Sequence, residues 1–461
     1  MKKKFLSVLL TIATTACLIG CAQSKPLEAV PFSEATPGDS GVEVPLQPIG
    51  DIEIIPGPGV DPQPQTPPAT DPQPAMQLEY IAEEDIEIDL NTDSLLYTNI
   101  GLVDGVSEQC PGENVMISGI SVNYALAMLA NGASPEALTA LEDFLGTDLE
   151  AANSYYSAFL NRAETDTQNK LIISNSFWVD DSLPYGIRDS YTNILKSTYQ
   201  ADISYIPMNE SGINQVNAWA EQATDGMIKK ALSPNDLTSD TSSILVNAIL
   251  LDGKWKQSFT TDRTREVEFT LADGSTKTVQ GMHSSESFYY ENEYATGFRK
   301  DYEGNEFYMI AVLPKEEGDF TLSGLDLEGF IESGKSTSEL NADLSIMLPK
   351  TDFEAKYNLT NILKAAGLEQ IFDKTSNNFS GIYDNDAADF TSYASSVIQN
   401  DRLIIDEEGT KAAAVTSVMM ATTTSIRDTQ HLMVYLNRPF AILLMDGTTD
   451  EPLFVAKIMN P

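Results

Sequence analysis

The chain has 461 residues, 68 of them acidic and 28 basic, for a formal net charge of −40, and 42% of its residues are hydrophobic. That apolar content excludes wholesale disorder, while length alone suggests about three domains, a prior that long single-domain folds often break. A charge this negative repels phosphate backbones and supplies no basic stripe that could release counterions, which excludes nucleic acid and polyanionic polysaccharides as partners.

At the start of the chain Lys2, Lys3 and Lys4 precede an apolar stretch from Phe5 to Ile19, the pattern of a secretory signal. The stretch is too short and too rich in threonine for a membrane span. It ends in Leu18-Ile19-Gly20-Cys21, which resembles a bacterial lipobox, whose cysteine is acylated before the signal is removed. The expectation is a signal peptide over residues 1–20, a lipid anchor on Cys21, and display at the outer face of the cell membrane. An ordinary signal peptide with an incidental cysteine is the alternative, and both imply export. Cys17 leaves with the signal and Cys21 carries lipid, so Cys110 alone remains and no intramolecular disulfide forms.

Residues 25–77 hold 13 of the 23 prolines and eight acids, and Asp61-Pro-Gln-Pro is repeated at Asp71. Such a segment buries no core and reads as a semi-rigid stalk. At about 3.1 Å per residue in polyproline form it reaches on the order of 160 Å. Residues 21–77 are therefore read as a lipid-anchored linker. From 78 to 461 the composition is globular, with no second Pro-rich or Gly-rich break, and reads as one large domain.

Within that domain Ser121 to Ala130 is apolar and Ala-rich, and Ser134-Pro135-Glu136 offers an N-cap and a first-turn proline to a second helix. Ile213 to Ala223 reads as a third helix closed near Gly226. Strand patterns follow at Ile244 to Leu251, Phe307 to Leu313 and Leu344 to Leu348, and Phe440 to Met445 with Leu453 to Ile458 reads as a hairpin around Asp446-Gly447. Helices first and strands later predict an α+β fold.

Catalytic constellations are missing from the sequence: there is no His-Glu-x-x-His, Gly-x-Ser-x-Gly, Gly-x-Gly-x-x-Gly or Cys-x-x-Cys. His283 and His431 are the only imidazoles, and nothing local pairs either with Cys110 for thiol chemistry. Acidic pairs such as Glu83-Glu84 and Glu407-Glu408 are what 68 acids produce by chance, and a solvated face explains them. The expectation is no metal and no cofactor.

One segment departs from the rest of the chain. Ala412 to Ile426 are fifteen residues with no charge, glycine or proline, although 21% charged residues overall predicts about three there. Ala412-Ala413-Ala414 suits a helix, whereas Val415, Thr416, Val418 and Thr422 to Thr424 suit a strand, so local propensity leaves the conformation open. With period two from Thr410, one face carries Thr410, Ala412, Ala414, Thr416, Val418, Met420 and Thr422, all small or apolar. Lys411 falls on the other face. On periodicity alone, an ordinary central strand fits equally well.

The flanks decide between these readings. Asp406-Glu407-Glu408-Gly409-Thr410-Lys411-Ala412-Ala413-Ala414-Val415-Thr416 resembles the hinge of the serpins, the serine protease inhibitor family. The resemblance extends through Asn114-Val115-Met116-Ile117-Ser118 with Ser121, Val246-Asn247-Ala248-Ile249 with Gly253-Lys254-Trp255, Leu348-Pro349-Lys350, Asn437-Arg438-Pro439-Phe440, and Leu453-Phe454 to Asn460-Pro461. It implies one domain over 78–461 with three β-sheets, eight or nine helices, and an exposed reactive loop from Glu407 to about Thr429.

In the family the loop is cleaved as bait and inserts into the main sheet as a strand before the acyl-enzyme is hydrolysed, which distorts the protease. The resemblance places the scissile bond at Thr423–Thr424, suited to serine proteases of elastase-like or subtilisin-like preference, with cysteine proteases as a second class. It places Ser118, Ser121, Asn247, Trp255 and position 399 in the control of sheet opening. Asn247, polar within an apolar run, needs a buried hydrogen-bond partner. Three positions depart from the family pattern: Gln399 replaces a common histidine, Gly119 a usual proline, and Lys411 a usual glutamate. The resulting reading is a membrane-tethered, monomeric suicide inhibitor. A non-inhibitory member acting as a binding or chaperone-like surface protein is the alternative, and a lipoprotein enzyme or solute-binding protein is remote.

Overall fold

The computed structural model describes residues 93–165, 170–385, 387, 390–410 and 429–461. The expected signal, Cys21 and the Pro-rich linker lie outside the described residues, as do Lys411 to Thr416 of the hinge and the Thr423–Thr424 bond.

The described chain begins with α1 (Asp93–Gln109), β1 (Val115–Ile117), α2 (Gly119–Ala130), α3 (Pro135–Leu145) and α4 (Leu149–Thr165). Next come β2 (Lys170–Asp180), α5 (Asp189–Thr198), β3 (Asp202–Ile206) and α6 (Glu210–Ala223). Strands then dominate: β4 (Ser243–Lys254), β5 (Thr264–Thr270), β6 (Thr276–Glu286), β7 (Phe288–Glu291), β8 (Ala295–Asp301) and β9 (Phe307–Pro314). After α7 (Leu327–Glu332), β10 (Lys335–Ser336) and α8 (Thr337–Leu340) come β11 (Ala342–Pro349), β12 (Thr351–Asn358) and α9 (Thr360–Leu363). Last are β13 (Ile398–Ile405), β14 (Gly409–Thr410), β15 (Gln430–Tyr435), β16 (Phe440–Asp446) and β17 (Pro452–Ile458).

Local chemistry explains the helix ends. The Ser134 hydroxyl accepts from the Ala137 N–H, Pro135 fills the first turn where a missing N–H costs nothing, and Gly146 ends α3 at φ 74°. Helix α6 starts three residues before the predicted Ile213, because Asn209 caps it through the Ser211 N–H. Helix α2 likewise starts two residues early, at Gly119, with Ser118 as its cap. Gly119 stands where the resemblance leads one to expect a proline, and Asn99 gives the reason. The Gly119 N–H donates to Asn99 Oδ1 at 2.8 Å, which proline cannot do, and a Cβ at 119 would lie 2.7 Å from the Asn99 side chain.

The strands form three sheets, with orders β1-β17-β16-β9-β8-β7-β10, β15-β11-β6-β5 and β12-β13-β14-β4-β2-β3. With nine α-helices among the described residues, this is the predicted three-sheet α+β fold. Strands β9, β16 and β17 are buried at every position, so both faces are covered and their sequences are apolar runs without alternation. The predicted C-terminal hairpin is β16–β17, paired from Phe440↔Ile458 to Met445↔Pro452. Helices α1 and α2 pack against β17. This rigid centre carries the six-stranded sheet, which the hinge enters.

Candidate functional site

The hinge is built by a tight turn. Strand β13 ends at Ile405, and the Asp406 carboxylate accepts from the backbone N–H groups of Glu408 (2.8 Å) and Gly409 (3.2 Å). This is the local bonding that makes aspartate a turn former. The chain folds back as β14, with Thr410 opposite Ile405 on one side and Gly253 of β4 on the other.

Contrary to the loop start predicted at Glu407, Glu407 to Thr410 are not part of an exposed loop. Gly409 and Thr410 are already an interior strand between β13 and β4, and both are buried. Two side chains allow it. A Cβ on Gly409 would lie 2.0 Å from the Gly253 carbonyl oxygen, so only glycine permits this approach. Thr410 is 4% exposed, and its hydroxyl shares a hydrogen bond of 2.5 Å with the Tyr302 hydroxyl, which removes the penalty of burying it unpaired.

A clamp holds the turn from above β4. Trp255 is 1% exposed and stacks on Tyr302, with ring centroids 4.4 Å apart and planes at 23°. Its indole N–H donates to the Asp406 carbonyl at 3.0 Å, its backbone N–H to the Glu408 carbonyl at 2.8 Å, and the Phe259 N–H to the Glu407 carbonyl at 2.8 Å. The Glu407 carboxylate meets Lys350 at 2.5 Å and accepts from the Thr264 hydroxyl at 2.9 Å. Burial pushes the Glu407 carboxyl upward, but the Lys350 ammonium, backbone hydrogen bonding and the Thr264 hydroxyl outweigh it and hold the group below its ordinary value.

Beyond β14 the two flanking strands enclose a cavity of about 170 Å³, with Val246 and Asn247 of β4 on one side, Ile398 and Gln399 of β13 on the other, and Ser121 of α2 in its lining. Strand β4 is only half-buried from Ser243 to Asn247 but buried from Ala248 to Leu251. The Ser121 hydroxyl donates to Asn247 Oδ1, and Asn247 Nδ2 donates to Asn175 Oδ1 at 2.7 Å, which supplies the partner that Asn247 needs. Gln399 Nε2 donates to the Ser118 carbonyl at 3.2 Å, and the Ser118 hydroxyl to the Leu453 carbonyl at 2.9 Å. Ser118, Ser121, Asn247 and Gln399 thus link α2, β4 and β13, while Trp255 works separately at the hinge.

Sequence reading passed over Asp401, two residues from Gln399 on the same buried face of β13 and 4% exposed. Gln399 Nε2 donates to its Oδ1 at 3.2 Å, whereas Asp401 Oδ2 and Gln399 Oε1 have no hydrogen-bond partner among the described residues. Burial pushes the Asp401 carboxyl well above its ordinary value, and the Gln399 hydrogen bond offsets this only in part. With the folded pKa above the unfolded one, the folded state binds the extra proton, so Asp401 lowers stability as pH rises from about 4 toward its folded pKa. Asp401→Asn is therefore expected to raise the thermal unfolding midpoint at pH 7.5 and to change it little at pH 4. An equal shift at both pH values in paired melts contradicts this.

Comparison with known proteins agrees with this geometry. A family model described as Serpin (serine protease inhibitor) matches residues 99–461. The chain belongs to the serpin family. It is 30% identical over 366 residues to a serine protease inhibitor from Cyanea capillata, covering 76% of this chain and 93% of that one. To human neuroserpin it is 27% identical over 366 residues, covering 76% and 86% respectively. Among solved structures, the thermophilic serpin tengpin in its native state matches with a TM-score of 0.69 at 28% identity, over 78% of this chain and 94% of that one. The family is one of serine protease inhibitors, whose members are protease inhibitors and not themselves enzymes.

Proposed function

We propose that the chain is a suicide-substrate inhibitor of serine endopeptidases, cleaved at Thr423–Thr424 and trapping the protease by inserting residues 411–423 between β4 and β13. The observation that carries this reading is β14: the first residues of the hinge already occupy the slot between those strands, with Thr410 buried and hydrogen-bonded. The small and apolar face of Ala412, Ala414, Thr416, Val418, Met420 and Thr422 suits burial in the cavity that continues from it. Insertion adds an interior strand to a sheet, and backbone pairing supplies the driving force. Control of opening is assigned to Ser118, Ser121, Asn247 and Gln399 below the hinge and to Trp255 at it. Thr423 with Met420 and Ala421 before it suits proteases with small or apolar pockets, of elastase or subtilisin type. The lipobox-like Leu18 to Cys21 and the Pro-rich stalk support display at the outer face of the membrane.

The test is to mix the chain with a pancreatic-elastase-type and a subtilisin-type protease and follow the products by denaturing gel and mass spectrometry. An adduct that survives denaturant, with a released peptide beginning at Thr424, is expected. Complete loop cleavage with no adduct in either mixture would instead favour a non-inhibitory role.

A further inference from the structure

Lys300 is the largest anomaly in the core. It lies on β8 with 1% exposure, in a domain whose other charges are mostly solvated. Its ammonium donates to Glu286 Oε1 at 2.7 Å and to the Gln257 carbonyl at 2.9 Å, and the Ser284 hydroxyl donates to the same Glu286 oxygen at 2.6 Å. The Nζ also lies over the rings of Phe259, 4.2 Å from the centroid, and Trp255, 5.5 Å away. Both are favourable cation–π distances. Burial pushes the ammonium pKa down, and Glu286 pulls it back up.

The position of these contacts gives Lys300 its meaning. Glu286 ends β6 of the four-stranded sheet, Lys300 belongs to the seven-stranded sheet, and Trp255 to Phe259 follow β4 of the six-stranded sheet. One buried charge therefore joins all three sheets. The segment it supports is the one whose N–H groups hold the carbonyls of Asp406, Glu407 and Glu408. Without the ammonium, the Gln257 carbonyl loses the Lys300 hydrogen bond and both aromatic faces lose their cation, which loosens the turn against the hinge.

We propose that Lys300 is a positioning residue for the hinge: its ammonium fixes the Trp255–Phe259 turn that keeps Asp406 to Thr410 at the start of insertion. This rests on the inhibitory reading above for its consequence, because a hinge held in place gives insertion a lead over hydrolysis of the acyl-enzyme. It does not rest on that reading for the clamp itself.

Two arms test the proposal on the full chain. The variant is Lys300→Met with Glu286→Gln, which removes both charges so that neither is left buried alone. The control is Lys457→Met with Asp319→Asn, a second ion pair with a buried lysine and a half-exposed carboxylate, at 2.6 Å, whose lysine lies 5.0 Å from the Phe320 ring centroid. Hydrogen exchange of the Trp255 and Phe259 amides should accelerate at least tenfold in the Lys300 variant and not in the control. With an elastase-type protease, the ratio of cleaved chain to covalent adduct should rise at least threefold in the same variant alone. Exchange no faster than in the control would overturn the proposal, and so would faster exchange with an unchanged ratio, which marks a merely structural lysine. A wild-type chain that forms no adduct sinks the inhibitory reading, while exchange still decides whether Lys300 holds the clamp.

Discussion

Thr410→Arg is expected to convert the inhibitor into a substrate: the loop is cleaved at the wild-type rate, and the covalent adduct disappears. Thr410 is 4% exposed between Ile405 and Gly253, with Tyr302 as its hydrogen-bond partner. Burying a guanidinium there without an opposite charge costs several kcal/mol. The arginine therefore leaves the slot that Thr410 fills in the intact chain, and returning it there on insertion costs about 3 kcal/mol, which slows that step roughly 100-fold, because each 1.36 kcal/mol is a factor of ten. The acyl-enzyme is then hydrolysed before the strand forms. Gel densitometry of adduct against cleaved chain reads the result, and adduct formation at the wild-type level would show that Thr410 is not buried during inhibition.

Gly409→Ala is expected to disturb the same strand of the uncleaved protein by a steric clash rather than by charge. The added methyl would sit 2.0 Å from the Gly253 carbonyl oxygen and 2.9 Å from the Lys254 Cα, both parts of the backbone of β4 and unable to turn away. Either β4 bends or β14 leaves the sheet, and leaving is easier because β14 has only two residues. The Thr410–Tyr302 hydrogen bond is then lost, and the indole of Trp255, stacked on Tyr302, changes its surroundings. The expected signature is a shift in tryptophan emission together with a fall in adduct yield of about tenfold, the equivalent of roughly 1.4 kcal/mol. A variant with wild-type emission and adduct yield would mean that β14 is not paired with β4 in solution.

Much of the frame was legible in the sequence because it follows local rules. Ser134 with Pro135, the apolar runs of β9, β16 and β17, and the C-terminal hairpin lie where periodicity and capping put them. The grouping of Ser118, Ser121, Asn247 and Gln399 followed from family resemblance, since residues from α2, β4 and β13 meet only in the folded chain.

What escaped was decided by tertiary contacts. The start of β14 depends on a slot between two distant strands and on Tyr302, neither of which alters local propensity at Gly409 or Thr410. Lys300 sits in Arg299-Lys300-Asp301, a charge run that reads as surface, yet its environment is assembled from three sheets. Asp401 lies between Asn400 and Arg402, yet the strict alternation of β13 buries Gln399 and Asp401 on the same face as Leu403 and Ile405. A polar residue on the apolar face of a strand was the available signal, and it marks the strand that the loop is proposed to join.

The most direct test of loop insertion is the thermal unfolding midpoint before and after the reactive loop is cut by a protease that does not remain bound. Thirteen residues, Lys411 to Thr423, are expected to enter the sheet. At about 1 kcal/mol for each backbone hydrogen bond gained, they stabilise the domain by roughly 10 kcal/mol. For a domain of this size about 2 °C follows each kcal/mol, so cleavage should raise the midpoint by about 20 °C. A cleaved chain that melts at or below the temperature of the intact one would contradict insertion, because a nick that adds no strand only increases the freedom of the unfolded chain.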